Sequence, residues 1–82
     1  MNRRVFVLKV PENDDVAEAA RAVPGVEVSE YGPYYAIEAA DGFSIDRRAT
    51  GVRHAVWYSC IAGLDGYRIV QWDKNALILE KR

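Results

Sequence analysis

The sequence predicts an α+β fold in which two similar strand-helix-hairpin units form an antiparallel sheet with two helices, related to the ferredoxin-like topology. Three observations carry that expectation. Short runs of alternating apolar residues are separated by Gly, Pro and Asp turn signals, as in hairpin strands. Two further stretches place apolar residues at intervals of three and four, the helical spacing. Finally, Gly25-Val26-Glu27-Val28-Ser29-Glu30-Tyr31 matches Gly66-Tyr67-Arg68-Ile69-Val70-Gln71-Trp72 in character, position by position.

Taken in order, Arg4 to Val10 reads as a strand with apolar residues on both faces, which suits the middle of a sheet. Pro11 ends it. Asp14 or Asp15 is the expected helix N-cap, with Glu18 in capping-box position after Asp15. Val16, Ala19, Ala20 and Val23 then share one helical face, and Pro24-Gly25 stops the helix. Val26 to Tyr31 and Tyr34 to Ala39 form a hairpin about Gly32-Pro33, sending Tyr35 inward and Tyr34 outward. Asp41-Gly42 turns into a short strand from Phe43 to Asp46.

The stretch from Arg47 to Leu64 has strand propensity in Ala55-Val56-Trp57-Tyr58, but its spacing favours a helix from Val52 to Leu64, with Gly63 as its stop. The internal similarity argues the same way: it sets Trp57, Ile61 and Leu64 opposite Val16, Ala20 and Val23, and Ile37 opposite Ile78. Tyr67 to Trp72 and Ala76 to Glu80 make a second hairpin about Asp73-Lys74-Asn75.

A chain of 82 residues has room for one domain, residues 1–82, with a modest core. Half of its residues are hydrophobic and its net charge is -1, the balance of an ordinary globular domain. Its basic residues are scattered, the densest groups being Arg3-Arg4, Arg47-Arg48 and Lys81-Arg82, so nucleic acid is not an expected partner. No stretch has the apolar length of a membrane span, and Lys9 and Pro11 break the first run before it could act as a signal core. With Cys60 the only cysteine, no internal disulfide can form, and a cytoplasmic protein is expected.

Catalytic chemistry finds little support. His54 is the only histidine and reads as a helix-surface residue, six positions from Cys60 and so on a different face. The acidic residues fall mostly in turns and caps, and no Gly-rich loop follows the first strand, so neither metal nor nucleotide cofactor is expected. Aromatic residues are the unusual feature: Tyr31, Tyr34 and Tyr35 cluster at the first hairpin, and Trp72 ends the matching strand of the second. Tyr and Trp anchor protein interfaces. These residues, with neighbouring Glu30, are the candidate partner-binding set, Tyr31 and Trp72 standing at equivalent ends of the two units.

The run Pro24-Gly25-Val26-Glu27-Val28-Ser29-Glu30-Tyr31, then Tyr34-Tyr35-Ala36-Ile37-Glu38-Ala39 and Gly42-Phe43-Ser44-Ile45-Asp46, resembles the MmoB/DmpM family, the small effector or coupling proteins of soluble diiron monooxygenases. The resemblance covers about the middle third of the chain and is a pattern of strands and turns. It implies a non-enzymatic, cofactor-free protein that docks on the hydroxylase subunit and tunes oxygen activation, substrate access and coupling to electron transfer. The segment from Arg47 to Leu64 departs from the family, where a helix followed by a strand is usual. From the residues alone, a ligand-binding or regulatory α+β domain, acting as a weak homodimer through a sheet edge, is the alternative.

Overall fold

β1 (Arg4–Leu8) lies where its two apolar faces require, inside a four-stranded sheet between the strands Tyr34–Glu38 and Ile61–Asp65. The computed structural model describes residues 3–82. After β1 come a 3-10 turn (Pro11–Asn13), α1 (Asp14–Arg21), and the hairpin of β2 (Glu27–Tyr31) and β3 (Tyr34–Glu38). β4 (Gly42–Asp46), α2 (Arg47–Thr50), α3 (His54–Ser59) and β5 (Ile61–Asp65) follow, and the hairpin of β6 (Tyr67–Trp72) and β7 (Ala76–Lys81) closes the chain. The fold is α+β with antiparallel pairing throughout, as expected, but its strands divide between two sheets, ordered β2-β3-β1-β5 and β4-β7-β6.

The two units share their strand order. In the first, the return strand of the hairpin pairs with the opening strand as β2-β3-β1; in the second it does so as β6-β7-β4. Val5 and Val7 oppose Ile37 and Tyr35, while Phe43 and Ile45 oppose Leu79 and Leu77. Leu79, rather than Ile78, is therefore the counterpart of Ile37. The register of β6 shifts between Ile69 and Gln71, and one extra residue in a strand moves every later side chain to the other face.

The expected helix from Val52 to Leu64 is corrected. Gly51, in the left-handed region at φ 72°, ends α2, and α3 stops at Ser59. Ile61 to Asp65 is strand, paired to β1 with Phe6 opposite Gly63 and Val5 opposite Leu64. Pairing with a central strand satisfies a row of backbone groups and outweighs a weak local helical preference. Gly63 is thus a mid-strand residue and not a helix stop.

The start of α1 also differs. Asn13 leads directly from the 3-10 turn into the helix with helical backbone angles and no capping bond. Its side-chain Nδ2 donates instead to the Leu8 carbonyl at 2.9 Å, and Asp14 and Asp15 lie in the helix's first turn, where acidic groups complement the helix dipole.

Val16 and Ala20 of α1, Trp57 of α3 and the inward residues of both sheets form one core with Val5, Val7, Ile37, Phe43, Ile45, Leu77 and Leu79. Tyr67 joins the sheets. Its ring packs edge-on against Phe43 at 5.7 Å, and its hydroxyl accepts from the Ala39 N–H at 2.7 Å and donates to the Ala39 carbonyl.

Candidate functional site: an uncovered aromatic sheet face

Alternation along the first sheet gives it two unlike faces. Val5, Val7, Ile37 and Tyr35 point towards the helices, and Arg4, Phe6 and Leu8 of β1 point away, with Phe6 opposite Ala36 and Leu8 opposite Tyr34. Ser29 and Tyr31 of β2 and Gly63 and Asp65 of β5 share that outer face by register. No helix among the described residues covers it, since the buried residues of α1 and α3 enter the core on the other side.

Three aromatic rings gather there. Phe6 lies 5.7 Å from Tyr31 and 6.0 Å from Tyr34, both in tilted or edge-on geometry that favours ring pairs. The Arg4 guanidinium sits 5.5 Å from the centre of the Tyr31 ring. Beneath them Ala36, although on the outer face, is only 2 % exposed, whereas Tyr31 is 57 % and Leu8 42 % exposed. The rings form a small apolar layer with one side in water. Beside them runs a groove of about 210 Å³ lined by Phe6, Tyr31, Tyr34, Ala62 and Gly63. At Gly63 an added Cβ would meet Phe6 Cδ2 at 3.8 Å, ordinary contact, so the groove lies against this residue without a close approach.

The expected set is thus divided. Tyr31 and Tyr34 come together on the outer face. Glu30 and Tyr35 oppose each other on the inward side of the same strands. The Tyr35 hydroxyl donates to Asp14 at 2.6 Å and the Arg21 guanidinium lies 5.9 Å from its ring, so Tyr35 ties β3 to α1. The hydrogen bond to Asp14, then burial, raises its pKa above the usual phenol value. Glu30 pairs with Lys9, which holds the carboxyl below its usual range through a hydrogen bond and charge.

Trp72 is not the outward counterpart of Tyr31. The register shift in β6 sets it opposite the buried Leu77, so it faces the core, half-buried, with Tyr58 at 6.1 Å. Its indole N–H has no hydrogen-bond partner among the described residues.

Phe6, Arg4, Ala62 and Gly63 complete the face but were not among the expected residues. The two apolar faces of β1 were the available signal for Phe6, because a strand with a core on one side leaves its other apolar residues for another surface.

His54 stacks on Tyr58 at 6.4 Å on the exposed side of α3, and Cys60 is buried at its end, donating to the Trp57 carbonyl at 3.1 Å. Burial pushes the Cys60 thiol up to about 11. The folded protein should therefore react with a thiol reagent such as DTNB at pH 8 far more slowly than the urea-unfolded chain, since the thiolate is the reactive form. Stoichiometric reaction at the unfolded rate would contradict this burial. A raised folded pKa has a matching linkage: the associated stability is complete below the unfolded value of about 8.5 and is lost as the pH rises towards 11.

Among the described residues, no group of three or more His, Cys, Asp or Glu side chains is placed to hold a metal ion, and no helix is long and apolar enough to cross a membrane. Comparison with protein-family models, curated proteins and solved structures returns no match.

Proposed function

We propose that this chain is a non-enzymatic effector that binds the hydroxylase of a multicomponent diiron monooxygenase and tunes its oxygen activation and substrate access. The observation that carries the reading is the uncovered face of the first sheet, where Phe6, Tyr31 and Tyr34 form a half-exposed aromatic layer beside an open groove. Aromatic anchors in a recess, ringed by polar groups, are the usual energetic centre of a protein interface. The resemblance of Pro24 to Asp46 supplies the kind of partner, and these residues form the turn, hairpin and following strand of β2, β3 and β4 in the family's order. The helix and strand at α3 and β5 add to it, because that succession is the family's usual one for this segment.

In this reading Tyr31, Tyr34 and Phe6 are the anchors. Lys9 and Asp14 hold Glu30 and Tyr35 in place behind them, and Trp72 of the second sheet packs beside Tyr58 of α3. The protein brings no cofactor, acts in the cytoplasm, and leaves substrate choice to the hydroxylase.

Adding it to the hydroxylase, reductase and ferredoxin of a soluble diiron monooxygenase should raise the product formed per reducing equivalent and give a complex on a sizing column. Unchanged rate and coupling, with no complex, would sink the proposal.

A further inference from the structure

The groove on the aromatic face opens onto a sheet edge, β5, whose register against β1 shifts between Phe6 and Val7. Among the described residues β5 pairs only with β1, leaving its other side free, and its first four residues, Ile61, Ala62, Gly63 and Leu64, carry no charge. The opposite edge, β2, carries Glu27 and Glu30, the usual protection against strand addition. Ala62 and Gly63 belong both to the open edge and to the groove lining, so edge and groove are one surface.

One level along the sheet from Phe6 and Gly63, the outer face changes character. Glu27 opposes Glu38, and Arg4 opposes Asp65. Arg4 lies 3.9 Å from Glu38, which sets three carboxylates against one guanidinium. Asp65 and Glu27 are exposed and enter no ion pair among the described residues. Asp65 is two residues from Gly63 on the same face, about 6.6 Å along the strand.

We propose that β5 accepts an extended segment of a partner protein as an added strand, with a large apolar side chain beside Gly63 in the groove and a Lys or Arg two residues away over Asp65. This deepens the docking role proposed above and rests on it for the identity of the partner. Backbone pairing supplies affinity and the two side-chain sites supply selectivity, the general logic of strand addition. A second copy of this chain fits poorly. Antiparallel self-pairing centred on Gly63 would set Gly63 against its own equivalent, leaving the groove empty, and Asp65 against Ile61, leaving the carboxylate without a cation.

The test is an amide NMR titration of the full chain with a threonine-rich synthetic peptide carrying a central Phe-Thr-Lys. Shifts and slowed exchange in β5, with shifts at Phe6, are expected, and peptides carrying Phe-Thr-Glu or Ala-Thr-Lys should bind about tenfold more weakly. Asp65→Lys should reverse the preference between the Lys and Glu peptides, and Gly63→Val, which fills the groove, should abolish the preference for Phe over Ala. An unperturbed β5, absence of these preferences, or β5 already protected in a dimer without peptide would overturn the inference. The hydroxylase separates it from the broader reading. If the chain binds and couples the hydroxylase while β5 amides exchange as in the free chain, the strand-addition inference fails and the effector role stands. If β5 takes the peptide but the hydroxylase is neither bound nor coupled, the effector role fails and strand addition stands.

Discussion

Trp57→Ala is expected to remove about 3–5 kcal/mol of folding stability, the usual loss for truncating a fully buried large aromatic residue. Trp57 is 0 % exposed and is the one buried residue of α3, a helix of six residues that is too short to persist without packing. Its indole N–H also donates to the Asp73 carbonyl at 2.6 Å, and the Asp73 carboxylate accepts from the Asn75 and Ala76 N–H groups at 2.9 and 3.1 Å. One side chain thus connects α3 to the turn of the β6–β7 hairpin. Domains are stable by about 5–15 kcal/mol, and a chain of this size sits towards the low end, so the variant should be close to unfolding at room temperature. Urea unfolding followed by circular dichroism checks it. Trp57→Phe, which keeps most of the packing and loses the hydrogen bond, should cost clearly less. An alanine variant within about 1 kcal/mol of the parent would show that Trp57 does not hold the core as described.

Gly42→Ala is the second large effect. Gly42 has φ 121°, a backbone region open to glycine and strained for other residues, and an added Cβ would lie 2.2 Å from the Leu79 carbonyl oxygen. The obstacle is backbone, so relief requires β4 to move from β7 along the Gly42–Glu80 pairing. Strain of about 1–3 kcal/mol and overpacking of similar size give an expected loss of roughly 2–6 kcal/mol. Gly25→Ala is the control. Gly25 has φ 81° but nothing within 4 Å of its added Cβ, so strain alone, about 1–2 kcal/mol, applies. Equal losses at the two positions would contradict the close approach of β4 and β7.

Local patterns in the sequence locate the hairpins, the central position of β1 and the opposite directions of Tyr34 and Tyr35, because strand alternation and turn residues act over short range. Residues 61–65 were illegible for a physical reason. Trp57, Ile61 and Leu64 keep helical spacing, yet Ile61 and Leu64 are strand residues because they pair with Val7 and Val5, far away in the chain. With Gly63 read as a helix stop, the β5 wall of the groove, Ala62 and Gly63, was hidden. Trp72 was misplaced by a related effect: the irregularity between Ile69 and Gln71 exists only in the pairing of β6 with β7, and it reverses the face on which Trp72 lies. Tyr31 and Tyr34 could be read as surface anchors, while the ring they surround, Phe6, was concealed in a strand whose apolar residues all resemble core.

The central claim is that the outer face of the first sheet is the surface through which this protein acts. The most direct test is titration of the hydroxylase with a Tyr31→Ser/Tyr34→Ser double variant shown by circular dichroism and urea unfolding to remain folded. Loss of two interface anchors at about 2 kcal/mol each predicts affinity weaker by roughly 700-fold, with coupling of product to reducing equivalents falling towards the level without effector. A folded double variant that binds and couples like the parent would contradict it.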